Sequence, residues 1–127
     1  MDTYPPLPAY RADCPSRVVV DVLANKWVLY VLALLQKSAS PLRFNELRRL
    51  VDGVTQKSLT KTLRTLERNG LVDRRIYAAV PPRVEYRLTD LGRDAAPLLA
   101  AIDSWAAQNA SAIVEARASF DTASDRA

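Results

Sequence analysis

Five polar side chains recur at helical spacing in the middle of the chain, and all five are of types that hydrogen-bond to nucleic-acid bases and phosphates. They are Gln56, Lys57, Thr60, Lys61 and Arg64. Intervals of three and four residues place them on one face of a helix, while leucines of the same segment occupy the opposite face. A helix with an apolar anchoring face and a basic polar face can enter the major groove of double-stranded DNA, which is about 12 Å wide. We therefore predict that the first four approach base edges and that Arg64 contacts phosphate.

The positive charge of the chain is concentrated around this helix. The net charge is +4, but residues 43–87 contain eleven Lys and Arg against five Asp and Glu. Residues 55–66 contain no carboxylate at all. A solvated surface is the alternative explanation for charges of this kind, but clustering on one segment is typical of a nucleic-acid-binding surface. We predict that Arg48, Arg49 and Arg83 provide further phosphate contacts.

The elements that must position these side chains can be predicted from periodicity and from capping residues. Two helices precede a short amphipathic helix, and a tight turn then leads to a helix that Thr55 can cap. Two strands joined at Pro81-Pro82 and a long final helix follow. The predicted fold is mainly α with a small β-hairpin, a winged helix-turn-helix with extra N- and C-terminal dimerisation helices. We expect an N-terminal arm over residues 1–13, the winged domain with its dimerisation helices over 14–118, and a flexible tail over 119–127.

Composition excludes several classes of catalytic and metal site. The chain has no histidine, one cysteine (Cys14) and only three glycines. Serine–histidine, cysteine–histidine and zinc-hydrolase chemistry all need side chains that are missing here. A phosphate-binding glycine loop has too few glycines to be built. The sequence thus predicts no catalytic residue, no metal site and no cofactor.

Membrane insertion and export are not expected from the apolar pattern. The longest apolar run, Trp27–Leu35, has nine residues, whereas a membrane-spanning helix needs about 20. The first residues lack the basic start and apolar stretch of a signal peptide. We expect a cytoplasmic protein with no membrane partner.

The final helix is longer than a domain of this size needs. Its apolar residues keep a period of 3.6 beyond the reach of the winged domain. Packing against the chain's own domain is one explanation, and self-association is the other, because exposed apolar surface is a liability in a small monomer. We predict a homodimer through Leu98, Ile102, Trp105 and Ile113.

Seven short motifs are distributed over about residues 14–108. They are Cys14-Pro15, Asn25-Lys26-Trp27, Arg43-Phe44-Asn45-Glu46-Leu47-Arg48-Arg49, Thr55-Gln56-Lys57-Ser58-Leu59-Thr60, Leu66-Glu67-Arg68-Asn69-Gly70-Leu71-Val72, Val80-Pro81-Pro82-Arg83-Val84-Glu85-Tyr86 and Leu88-Thr89-Asp90-Leu91-Gly92. Together they resemble the HxlR family of bacterial winged-helix transcriptional regulators. The family usually has glycine where Asn25 stands, a change that affects a turn and not the basic helix face.

The resemblance implies a transcriptional regulator, not an enzyme, that binds a palindromic DNA operator as a homodimer. It also implies a hypothesis for Cys14, since some family members sense oxidants or electrophiles through a cysteine at this place. At the start of a helix, with Arg11 and Arg17 nearby in sequence, the thiolate form of Cys14 is favoured. The alternative is a structural Cys14 that caps and packs.

Two other functions remain open from the sequence. The first is a regulator that responds to a small-molecule inducer, bound between the first helices and the dimerisation helix. The second is a winged helix that binds another protein instead of DNA. Salt dependence discriminates the second from DNA binding, because phosphate contacts make affinity fall steeply with salt.

Overall fold

The computed structural model describes Leu7 and residues 9–126, and the helices and strands follow the predicted order. The fold is confirmed as a winged helix-turn-helix with one additional helix at each end. The elements are α1 (Pro15–Leu23), α2 (Lys26–Lys37), β1 (Leu42–Arg43), α3 (Phe44–Leu50), α4 (Gln56–Arg68), β2 (Val72–Tyr77), β3 (Arg83–Leu88) and α5 (Asp90–Arg126).

Polar side chains fix the first residue of three helices. The Asn25 side chain accepts hydrogen bonds from two N–H groups of the first turn of α2. The Thr55 hydroxyl accepts from the Ser58 N–H at 3.0 Å and so caps α4, as predicted. The Thr89 hydroxyl accepts from the Gly92 N–H at 3.0 Å and donates to the Gly70 carbonyl at 2.6 Å. Thr89 therefore joins the start of α5 to the end of α4, in addition to capping its own helix.

The sheet has three antiparallel strands in the order β1-β3-β2. The sequence predicted only the hairpin of β2 and β3, and β1 is an additional strand. Leu42 pairs with Tyr86 and Arg43 with Glu85. A two-residue strand is too short to show a period of two, which is why the sequence pattern did not indicate it. The predicted first hairpin strand also ends earlier than expected, at Tyr77, and residues 78–82 form the loop of the wing.

A single apolar core holds these elements together. Leu32, Leu47, Leu59 and Leu66, one or two from each of α2, α3 and α4, are completely buried. α5 adds Leu99 to this core and packs along α2. α4 is therefore anchored by its leucine face, which leaves its polar face exposed.

The two ends of the chain differ from the sequence predictions. α5 continues as a helix through Arg126, so the tail expected from residue 119 is wrong for the residues described. No glycine or proline follows Pro97, and alanine, the strongest helix former, is frequent there. Most of the predicted arm, residues 1–6 and 8, lies outside the described residues.

Within the described residues, no single helix is long and apolar enough to cross a membrane. α1 and α2 have sufficient length and composition only when taken together, and a 77° bend separates them.

Candidate nucleic-acid interface

The buried side chains of α4 determine which of its other side chains are exposed. Leu59, Leu63 and Leu66 point into the core, and Thr62 is buried beside them. The Thr62 hydroxyl donates to the Ser58 carbonyl at 2.8 Å, so this polar group is satisfied inside the helix. The rotation of α4 about its axis is thereby determined, and the side chains on the other face must point to solvent.

The outward face of α4 carries the five predicted polar residues and one more basic residue, Arg68. All six are exposed and together line a shallow surface depression that no other element enters. Lys57, Lys61 and Arg64 make no ion pair with any described residue. Their charges are therefore available to an external anion.

The one carboxylate of α4 is turned toward the wing. Glu67 lies 3.5 Å from the guanidinium of Arg74 on β2, measured between Oε2 and Nε. On the wing itself, Arg87 pairs with Asp73 at 3.4 Å. Exposed pairs of this kind contribute only about 0–1 kcal/mol each, so a phosphate can compete for either arginine. The wing is thus less positive than its arginine content indicates, while the outer face of α4 keeps its full charge.

A second cleft, of about 880 Å³, lies between α3 and the loop of the wing. Arg49 from α3 and Arg83 from the wing line it, together with Arg43 just before α3. The Arg83 guanidinium lies 3.1 Å from the Glu85 carboxylate and 4.4 Å above the centre of the Tyr77 ring. Arg83 is therefore held in place by these two neighbours, and the Glu85 carboxylate offsets part of its positive charge.

A third cleft, of about 490 Å³, connects α4 with the sheet. Arg64, Arg68 and Arg74 lie around it, with Tyr86 from the central strand β3 also in its lining. Burial raises the pKa of Tyr86 above its usual range, although the Arg74 charge acts in the opposite direction. The phenol is accordingly neutral near pH 7 and places no negative charge beside the arginines.

The structure brings most of the predicted DNA-contacting residues together, but not all of them. The five on α4 share one face, and Arg49 and Arg83 share the α3–wing cleft. Arg48 is exposed on α3 but lies outside that cleft. Sequence reasoning missed Arg43 and Arg68. Arg68 had a detectable signal, because it continues the spacing of Lys57, Lys61 and Arg64 along α4.

Cys14 occupies the residue before α1 and is fully exposed. Cys14 is the N-cap residue of α1, as predicted, but its thiol makes no capping hydrogen bond. The Ser16 hydroxyl, 3.0 Å from Sγ, is the main cause that lowers the pKa of Cys14, and the neighbouring N–H groups of Ser16 and Arg17 add to it. The nearby arginines have other partners: Arg11 pairs with Asp13, and Arg17 donates to the Tyr10 carbonyl. Hydroxyl and N–H groups, not guanidinium charge, therefore favour the thiolate.

The predicted dimerisation residues of α5 are all exposed. The exposed fractions are 64% for Leu98, 53% for Ile102, 60% for Trp105 and 44% for Ile113. α1 also exposes apolar side chains, since Val18, Val19 and Val20 are each more than half exposed. Surface of this kind marks an interaction site when it is contiguous.

Comparisons with known proteins agree with this architecture. An HxlR-like helix-turn-helix family model matches residues 22–114. An HTH-type transcriptional regulator of Methanothermobacter thermautotrophicus is 44% identical over 92 residues, which cover 72% of this chain and 69% of that protein. The solved structure of the transcriptional regulator ytfH from Salmonella typhimurium superposes with a TM-score of 0.79 at 34% identity, covering 87% of this chain and 96% of that chain.

The redox regulator HypR is similar in both of its solved states. Its reduced form matches with a TM-score of 0.71 at 35% identity, over 80% of this chain and 99% of that chain. Its oxidised form matches with a TM-score of 0.69 at 38% identity, over 76% and 97%. A family model that matches most of the chain, together with relatives of this similarity, establishes that the chain belongs to the HxlR-like helix-turn-helix family of DNA-binding transcriptional regulators.

Proposed function

We propose that this regulator binds a palindromic DNA operator as a homodimer, with α4 of each protomer in the major groove. The observation that carries the proposal is the outer face of α4, where three cations without an ion-pair partner among the described residues stand beside Gln56 and Thr60. Amide, hydroxyl and amino groups are the groups that read base edges there. An acid-free face of this kind also fits a phosphate backbone on either side of the groove.

The basic residues divide between two roles. Gln56, Lys57, Thr60 and Lys61, in the first half of α4, approach base edges, because the N-terminal part of such a helix enters the groove. Arg64 contacts phosphate beside the groove, and Arg48, Arg49 and Arg83 hold the backbone from α3 and the wing. Phosphate contacts position the protein, whereas base contacts specify the sequence.

Dimerisation follows from the exposed apolar faces of the two terminal helices. Leu98, Ile102, Trp105 and Ile113 on α5, with the valines of α1, provide the surface that a second copy of the chain covers. A two-fold dimer matches a palindromic operator, and linking two half-sites raises the affinity well above that of one.

Oxidation of Cys14 is the signal that we propose for this regulator. The thiol is exposed, its pKa is lowered, and the chain resembles a redox regulator solved in a reduced and an oxidised form. Two Cys14 thiols would lose two protons and two electrons to form one intersubunit disulfide. Diamide supplies the matching reduction, since its N=N bond takes up both protons and both electrons and becomes a hydrazine. This product requires the two Cα atoms to approach within about 4.4–6.8 Å.

A small-molecule inducer is the second candidate signal, and a specific cavity favours it. A cavity of about 340 Å³ lies between α2, α3 and α5, with Tyr30 and Leu50 among its lining residues. Lys37 and Asp103 form an ion pair of 3.4 Å at its edge, between Nζ and Oδ2. In that case Cys14 is structural, and diamide has the same effect on the wild type and on Cys14→Ser.

Selection of duplexes from a random-sequence pool tests the DNA proposal. We expect the selected sites to contain an inverted repeat, and the affinity to fall steeply as salt rises from low to physiological concentration. A protein-interaction module would enrich no sequence, and its binding to a protein partner would be insensitive to salt.

A further inference from the structure

Six exposed apolar residues of α5 form a stripe whose spacing is symmetric about one polar residue, Asn109. Counting from Asn109, the stripe positions lie 4, 7 and 11 residues away in each direction. Toward the N-terminus they are Trp105, Ile102 and Leu98, and toward the C-terminus they are Ile113, Ala116 and Phe120. All six are exposed, and Phe120, at the far end, is 71% exposed.

The spacing also keeps the stripe straight along the helix. The intervals of 4, 3, 4, 4, 3 and 4 residues average about 3.67, close to the period of an undistorted α-helix. A second helix can therefore lie along all seven positions without marked supercoiling.

We infer that α5 pairs with α5 of a second copy in antiparallel orientation, with the two-fold axis passing beside Asn109. This inference rests on the homodimer of the proposed function and specifies its register. A two-fold axis requires that residue i contacts residue j while residue j contacts residue i. In the antiparallel orientation, positions at equal distances on either side of the axis face each other, and a stripe that reads the same in both directions gives each apolar position an apolar partner.

The side chains that this register brings together are all apolar. Leu98 meets Phe120 of the second copy, and Trp105 meets its Ile113. Ile102 meets Ala116, so a large residue faces a small one. No stripe position carries a charge, so that self-pairing along the stripe brings no like charges together.

The Asn109 side chain has both a hydrogen-bond donor and an acceptor, as a residue that pairs with its own copy across the two-fold axis needs. One hydrogen of its Nδ2 donates to the Trp105 carbonyl at 2.8 Å. The other hydrogen and the Oδ1 acceptor are free to form a reciprocal pair of hydrogen bonds with Asn109 of the second copy. A polar pair within an apolar seam fixes register, because a shift of one turn would leave both amides facing apolar side chains.

The register also sets the distance between the two winged domains. Leu98 and Phe120 are separated by 22 residues, so the two copies of Leu98 lie about 33 Å apart along the helix axis. This offset is of the same order as one turn of DNA, about 34–36 Å between half-sites.

Disulfide cross-linking in the full-length Cys14→Ser background tests the register. Asn109→Cys should cross-link to itself under copper–phenanthroline oxidation. Ser111→Cys, on the opposite side of α5, is the matched control and should not. A thiol pair held in a dimer has an effective concentration on the order of millimolar, so cross-linking should be about a thousandfold faster than between free chains at micromolar concentration.

Mixing two single-cysteine variants tests the register independently, because Asn109 is unchanged in both. Leu98→Cys and Phe120→Cys chains should each fail to cross-link alone, and should cross-link after the two are mixed and subunits have exchanged. The proposed register is wrong if Leu98→Cys cross-links to itself, or if the mixture does not cross-link although the protein sediments as a dimer. Sedimentation as a monomer would instead refute the homodimer itself, and the register with it.

Discussion

Glu67 at the end of α4 and Arg74 on β2 form an ion pair of 3.5 Å, and this contact separates the carboxylate of α4 from its basic face. The pair turns the Glu67 carboxylate toward the wing, and Glu67 does not line the outward depression of α4. Lys57, Lys61 and Arg64 are left as the dominant charges of the surface that faces DNA in the proposed complex. Contacts to base edges can therefore be tested by substitutions on α4, and contacts to phosphate by substitutions on α3 and the wing.

Arg49→Ala should weaken binding to all duplexes by a similar factor. Arg49 lines the cleft between α3 and the wing loop and is assigned to phosphate, which carries no sequence information. The slope of log affinity against log salt should become smaller by about one. Fluorescence anisotropy at several salt concentrations, on a selected and a scrambled duplex, measures both effects. Arg117→Ala on α5 removes the same charge elsewhere, and an equal loss in that control would contradict the assignment.

Gly92→Ala should destabilise the fold without touching the DNA-binding face. A Cβ at position 92 would lie 2.0 Å from the Leu71 carbonyl oxygen, and a backbone atom cannot move aside as a side chain can. Overpacking of this kind costs about 1–3 kcal/mol of unfolding free energy. Urea unfolding followed by circular dichroism measures it, with the exposed Ser104→Ala as the control on the same helix. An unchanged midpoint for Gly92→Ala would show that α5 does not pack this closely on Leu71.

Much of the fold was predictable because the decisive signals are local. Thr55 and the leucine spacing of α4 determined where that helix starts and which face it buries. Alternation from Arg83 to Leu88 indicated the central strand. β1 was missed because its two residues gain their strand conformation from pairing with Tyr86 and Glu85, which is a tertiary effect.

The candidate site was less predictable than the fold, because charge counting does not reveal pairing. Arg74, Arg83 and Arg87 each have a carboxylate partner on the wing or at the end of α4, and no helical or strand period indicates that. The extension of α5 was missed for another reason: most residues past position 118 are polar and only modest helix formers, so they were interpreted as a tail, although no glycine or proline interrupts the helix there. That misreading also hid Phe120, the last position of the apolar stripe.

Ser16→Ala should make Cys14 less reactive near neutral pH. The Ser16 hydroxyl is the main group that lowers the pKa of Cys14, so its removal raises that pKa and reduces the thiolate fraction at a given pH. The rate of alkylation by monobromobimane, measured against pH, should shift to higher pH in the variant. Arg11→Gln serves as the control, because Arg11 pairs with Asp13 and not with the thiol. Identical profiles for Ser16→Ala and the wild type would exclude this role of Ser16.

Trp105→Glu combined with Ile113→Glu should convert the proposed dimer into a folded monomer. Both side chains are exposed in the single chain, so the substitutions cost little folding stability but bury charges in the proposed interface. Sedimentation velocity at micromolar concentration reports the oligomeric state, and circular dichroism checks the fold. Operator affinity should fall because one half-site then binds alone. Val114→Glu, outside the stripe, is the control, and a double variant that remains dimeric would contradict the α5 interface.

The Lys57→Ala/Lys61→Ala variant tests whether the outer face of α4 reads the operator. Lys37→Ala/Arg117→Ala loses the same charge away from α4 and is the control. The measurement is the ratio of affinities for a selected duplex and a scrambled duplex, at one salt concentration. We expect the α4 variant to lose about 1–3 kcal/mol of discrimination for each base contact removed, with the control unchanged. Retention of the full ratio by the α4 variant would show that Lys57 and Lys61 do not read the operator.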